Sequence, residues 1–108
     1  MIEERRCSYE VCKLLHEKGF DVKCTDWYWE NNINIWKPTH QMACDWLREV
    51  HKIFIEISVS IDLNGNYHYR YSVLNKKCEY VRKGYTSFDW NYTDAVEEAL
   101  KYSLENLV

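Results

Sequence analysis

Five cysteines and four histidines are the side chains of this 108-residue chain best suited to metal or thiol chemistry. Cys12 and His16 stand at i, i+4, as do His40 and Cys44. On a helix either pair would supply half of a zinc site, but no CxxC occurs and no second pair stands at metal-ligand spacing. Cys44 with His40, or another cysteine with His51, has the residue types of a thiol nucleophile and its base. No glycine-rich turn offers an oxyanion hole beside them, and Cys44 lies next to an apolar stripe. The neighbouring carboxylates Asp45 and Glu49, and Glu97 and Glu98, fall on segments that need a solvated face. Asp45 and Arg48 make an ordinary i, i+3 pair. The chain also lacks a P-loop, a dinucleotide fingerprint, HExxH and GxSxG. No catalytic residue, no metal ion and no cofactor are therefore expected.

Aromatic residues carry the stronger signal. Five tryptophans and nine tyrosines exceed the needs of one small core. Trp27, Tyr28, Trp29 and Trp36 crowd one segment, while Tyr67, Tyr69, Tyr71, Tyr80 and Tyr85 belong to a predicted sheet. Lining the inner face of that sheet accounts for Tyr67, Tyr69 and Tyr71, with their hydroxyls at the rim. Trp27 or Trp29, Phe54 and some tyrosines are left over, and exposed aromatic clusters mark interfaces with proteins or stack on single-stranded bases.

Composition narrows these choices. Fourteen Lys and Arg against seventeen Asp and Glu give a net charge of −3. The charges are interspersed, so a duplex-binding basic stripe is disfavoured. No apolar run approaches the roughly 20 residues of a membrane span, and the N-terminus MIEERRCSYE has no apolar h-region. The odd cysteine count then suggests reduced thiols in a cytoplasmic protein. The chain is long enough to bury a core as one domain spanning 1–108.

The elements follow from periodicity and caps. Cys7, Val11, Leu14 and Leu15 define one face of a helix over 3–18, ended by Gly19 with Phe20 folding back. Residues 21–36 fit either a hairpin or one strand and a loop. Pro38 and Thr39 open a second helix, with Thr39 as cap and Ala43, Trp46, Leu47 and Val50 as its buried stripe, ending near His51. Ile53, Ile55, Ile57, Val59 and Ile61 then alternate with polar residues, which predicts a strand laying one aliphatic face on the helices. A two-residue Asn64-Gly65 loop would set Val59 opposite Arg70. A three-residue loop, 63–65, pairs Ile61 with Tyr67, Val59 with Tyr69 and Ile57 with Tyr71, and so keeps the apolar set together. Residues 79–83 read as a shorter edge strand, 84–90 as a loop, and Asn91 with Asp94 as the cap of a C-terminal helix carrying Ala95, Val96, Ala99, Leu100, Leu104 and Leu107. The expected fold is α+β: a two-layer domain with an antiparallel sheet, its central hairpin at 53–62 and 66–74, covered on one face by two or three helices.

The segment PTHQMACDWLREVHKI resembles a signature of small uncharacterised proteins from tailed phages and prophages of gut bacteria. The residues that carry it are Pro38, Thr39, Trp46, Leu47, Arg48, Glu49, Val50, His51, Ile53 and Ile55. LLHEKGFD, from Leu14 to Asp21, extends the likeness, and YTDAVEEAL, from Tyr92 to Leu100, does so more loosely. The resemblance implies an accessory protein of a phage or mobile element and brings no catalytic residue with it. Within its motif Arg48, Glu49 and His51 are polar. Arg48 and His51 suit the C-terminal end of a helix dipole, but the three also qualify as a binding site. The candidate binding residues are thus Trp27, Trp29, Trp36, Arg48, Glu49 and His51. The expected partner is another protein or a second copy of the chain in a homodimer, with single-stranded nucleic acid as the rival and a small Cys/His metal or thiol enzyme third.

Overall fold

Ser8 decides where the first helix starts. Its backbone is extended and its hydroxyl accepts the Val11 N–H, so α1 runs Tyr9–Glu17. The computed structural model describes residues 5–85 and 92–108. Within them the expected start near residue 3 is displaced to Tyr9, because the preceding backbone bonds elsewhere. Cys7 N–H donates to the Pro38 carbonyl at 2.9 Å, His40 N–H donates to the Arg5 carbonyl at 2.9 Å, and Arg6 bridges Thr39. Cys7 is still buried, but from this extended segment rather than from a helix face. The other end is as expected: Gly19 is left-handed (φ 92°), Phe20 N–H reaches the Leu15 carbonyl, and Gly19 N–H reaches that of His16. This 6→1 and 5→2 pattern returns Phe20 to the core, where its ring meets Trp46 edge-on at 5.4 Å.

Within residues 21–36, the stretch 27–36 forms a hairpin. β1 (Trp27–Glu30) and β2 (Ile33–Trp36) pair antiparallel through Asn31 and Asn32. Both asparagines are left-handed (φ 50° and 63°), the requirement of a two-residue turn that follows strand twist, and asparagine tolerates that region better than most residues.

Thr39 caps α2 (His40–His51) by accepting the Met42 N–H. His40, Ala43, Trp46 and Leu47 are buried, but Val50, expected to continue the stripe, is 57% exposed. The chain reverses at left-handed Lys52, Ile53 N–H bonds the Leu47 carbonyl, and Ile53 is the residue that enters the core.

β3 (Phe54–Ile61), β4 (Tyr67–Leu74) and β5 (Tyr80–Tyr85) form an antiparallel sheet in that order. Ile57 faces Tyr71, Val59 faces Tyr69 and Ile61 faces Tyr67, the register of the three-residue loop. Gly65 is left-handed (φ 81°) and its N–H bonds the Asp62 carbonyl. The Asp62 carboxylate accepts from the His68 ring and from the Asn66 and Asn64 amides. Led by the His68 bond, these hold its pKa down to about 2.

α3 (Tyr92–Asn106) lies across β3 and β4 and contacts α1 and α2. Its expected cap, Asn91, lies outside the described residues. The core joins Leu15, Leu47, Val73, Leu100 and Leu104 from all three helices and the larger sheet. Helices and antiparallel sheets thus make an α+β fold. The helix layer covers only part of the aliphatic sheet face. Val73 and Tyr71 are buried, whereas Val59, Ile61 and Tyr67 towards the hairpin tip are 47%, 60% and 61% exposed. Among the described residues no helix is long and apolar enough to cross a membrane.

Candidate binding surfaces

Strand alternation sorts the β1–β2 hairpin into two faces. Tyr28 pairs with Ile35, and this face turns inward: Ile35 is buried, and Tyr28 meets the Tyr9 ring of α1 at 5.1 Å. Trp27 pairs with Trp36 and Trp29 with Asn34, so three of the candidate tryptophans share the opposite face. Trp27 and Trp36 meet edge to face at 6.1 Å. Trp36 is half-buried, while Trp27 and Trp29 remain 52% and 67% exposed. Asn34 stands on this face with its Oδ1 buried and without a hydrogen-bond partner.

Three cations beside this hairpin are committed, Lys13 through its ion pair with Glu30 at 3.8 Å. Lys37 Nζ lies 3.9 Å from Asp26 and 5.1 Å from the Tyr28 ring centre. The Arg6 guanidinium donates to the Lys37 carbonyl and the Thr25 hydroxyl. Among the described residues the face is therefore aromatic and amide-bearing, with no row of cations to follow a phosphate backbone.

Arg48, Glu49 and His51 do not join it. Arg48 bonds Asp45 at 2.8 Å and Glu49 at 3.4 Å on the exposed side of α2. His51 stacks edge-on against Trp46 at 4.7 Å, with Nε2 buried and without a hydrogen-bond partner. Arg48 and His51 both stand in the last turn of α2, where cations favour the dipole. Arg48 also edges a groove of about 400 Å³ between α2, the start of α3 and β3, where Arg5, His40 and Cys44 face Ile55, Ile57 and Tyr92.

A cluster that sequence spacing did not bring together lies behind this groove. Potential ligand atoms of Cys7, His40 and Glu97 all fall within 4.8 Å of one another. They come from the segment before α1, the first residue of α2 and the middle of α3, so no local motif could have announced them. Glu97 Oε1 accepts from His40 Nε2 at 2.7 Å and from the Ser8 N–H at 2.9 Å; Oε2 accepts the Ser8 hydroxyl at 2.8 Å. The Cys7 thiol faces the Thr39 carbonyl at 3.8 Å. With each group already partnered, the arrangement works as a clasp joining the three helices at the start of α1, the start of α2 and the middle of α3. Burial alone would raise the Glu97 pKa, but bonds from the His40 ring, the Ser8 hydroxyl and the Ser8 amide outweigh it and hold the carboxyl below its usual range.

The same burial argues against thiol catalysis. It pushes the Cys7 thiol far above its ordinary value, Cys12 up to about 12 and Cys44 up to about 11. His40, the base that Cys44 would need, is held by Glu97. The Cys12–His16 pair is split, Cys12 fully buried and His16 exposed. With a disulfide-exchange reagent, one thiol, Cys78, is expected to react at once, because it is exposed in a turn. Cys44, partly exposed in the groove wall, should follow more slowly, and buried Cys7, Cys12 and Cys24 should react only as the protein opens. A second fast thiol in the native state would contradict this reading.

Compared with known protein families, with curated proteins and with solved structures, the chain matches none.

Proposed function

We propose that this chain is a non-catalytic interaction domain, an accessory protein of a phage or mobile element, which grips a protein partner through the tryptophan face of the β1–β2 hairpin. The observation that carries the reading is the placement of Trp27, Trp29 and Trp36 on one outward face, with the first two more than half exposed. Keeping two large indoles in water has no folding benefit, and tryptophan is the residue most enriched at the energetic centre of protein interfaces. The phage context rests on the resemblance of residues 38–55.

The test is binding by the whole chain and by Trp27→Ala and Trp29→Ala, with host proteins and with single-stranded oligonucleotides. Trp29→Ala should keep the wild-type melting temperature, and Trp27→Ala, which also loses the edge-to-face contact with Trp36, should lower it slightly. Each should also weaken binding to a protein partner by about 30-fold, equivalent to about 2 kcal/mol at a hot-spot position. Protein binding that ignores both substitutions would refute the assignment. Salt-sensitive oligonucleotide binding that needs both tryptophans would move the function to single-strand recognition.

A further inference from the structure

We propose that β3 is a self-recognition edge: a second copy of this chain adds its own β3 antiparallel to it and extends the sheet to six strands. This surface is separate from the tryptophan face and does not depend on it.

The two edges of the larger sheet are built differently. The β5 edge carries Arg82 and Lys83 and follows a register shift at Val73/Leu74, features that discourage a further strand. β3 reads FIEISVSI over eight residues, with one charge, no proline, no glycine and an unbroken register against β4. Among the described residues β3 pairs with β4 alone, and no other backbone bond reaches its free side. A long, flat, apolar and unguarded edge is the sheet feature most prone to pair with another chain.

The occupant follows from pattern and charge. When a strand pairs antiparallel with itself, opposed residues share a face, so the two-fold axis must pass through a residue pair. Centred on Ser58, Ile57 meets Val59 of the second copy, Ile55 meets Ile61, and Glu56 meets Ser60. Every inner-face pair is aliphatic and no like charges oppose. Centring on Val59 would set Glu56 against Asp62. Centring on Ile57 would draw in Ile53, whose N–H already bonds the Leu47 carbonyl. The Ser58 register also sets exposed Val59 and Ile61 of one copy beside Ile55 and Ile57 in the other copy's groove. The half of the sheet face that the helices leave bare would then continue into an apolar floor.

Ser58 is exposed, so a charge there should not disturb the monomer fold, yet it would face its own symmetry mate. Light scattering over a wide concentration range should give twice the monomer mass for the wild type. Ser58→Lys and Ser58→Glu should each raise the dimer dissociation constant at least tenfold with unchanged melting temperature. An equimolar mixture of the two should recover the dimer by opposite-charge pairing. A wild type that stays monomeric overturns the proposal. So does a dimer indifferent to both substitutions, or a mixture that fails to recover. Trp29→Ala should leave this dimer intact, so loss of the dimer in that variant would locate self-association at the hairpin instead.

Discussion

Glu97→Ala should be the most damaging substitution at a polar residue of the clasp, lowering unfolding free energy by about 2 kcal/mol. Glu97 accepts three of the clasp's bonds, and removing it takes the partner from the buried His40 ring and from the exposed Ser8 hydroxyl and amide. The His40 side chain is only 10% exposed, so water cannot freely replace its lost partner, whereas it can solvate the exposed Ser8 groups. Against a typical stability of about 5–15 kcal/mol, that loss is large, and urea unfolding with an unchanged m-value would measure it. A loss below about 1 kcal/mol would mean that the packing of the three helices does not depend on the clasp.

The same group sets a pH signature. Its folded-state pKa lies below its ordinary value of 4.5, so its contribution is complete above about that pH. The contribution is then lost as the pH falls through the lower folded-state pKa. Wild-type stability should decline through that acid window. Glu97→Gln should start less stable at neutral pH and show a shallower decline there, because it has no carboxylate to protonate. Parallel acid limbs for the two proteins would sink this attribution.

Gly84→Ala is the second large effect, expected at about 1–3 kcal/mol of destabilisation from overpacking. The Tyr71 ring lies against Gly84 across the β4–β5 pair, and a Cβ at 84 would overlap its Cε1 and Cζ atoms. The ring cannot simply swing out. It is 4% exposed and belongs to the core, and its hydroxyl accepts from Arg82 Nε at 3.4 Å. Because the backbone at 84 is not left-handed, the whole cost is steric, which a double-mutant cycle can separate. In a Tyr71→Val background, adding Gly84→Ala should cost almost nothing. An equal cost in both backgrounds would place the effect in the backbone instead.

Local chemistry made several parts of this protein legible before folding was considered. Gly19 and Phe20 determined the end of α1, and Thr39 the start of α2. The alternation from Ile53 to Ile61, with Gly65 in a left-handed turn, determined the register of β3 against β4. Each depends on one cap, one dihedral or a period of two, all encoded within a few residues.

Other features were decided only by tertiary structure. The backbone of residues 5–7 bonds the entrance to α2 instead of extending α1, and Val50 is left outside because the chain reverses at Lys52. The sequence admitted either a hairpin or a strand and loop over residues 21–36. Two left-handed asparagines made the hairpin, and packing of Tyr28 against α1 then determined which face carried the tryptophans outward. The His40–Glu97 contact spans 57 positions. No spacing rule reaches that far, because contacts between helices are set by how whole apolar faces pack, and polar partners meet only where that packing brings them.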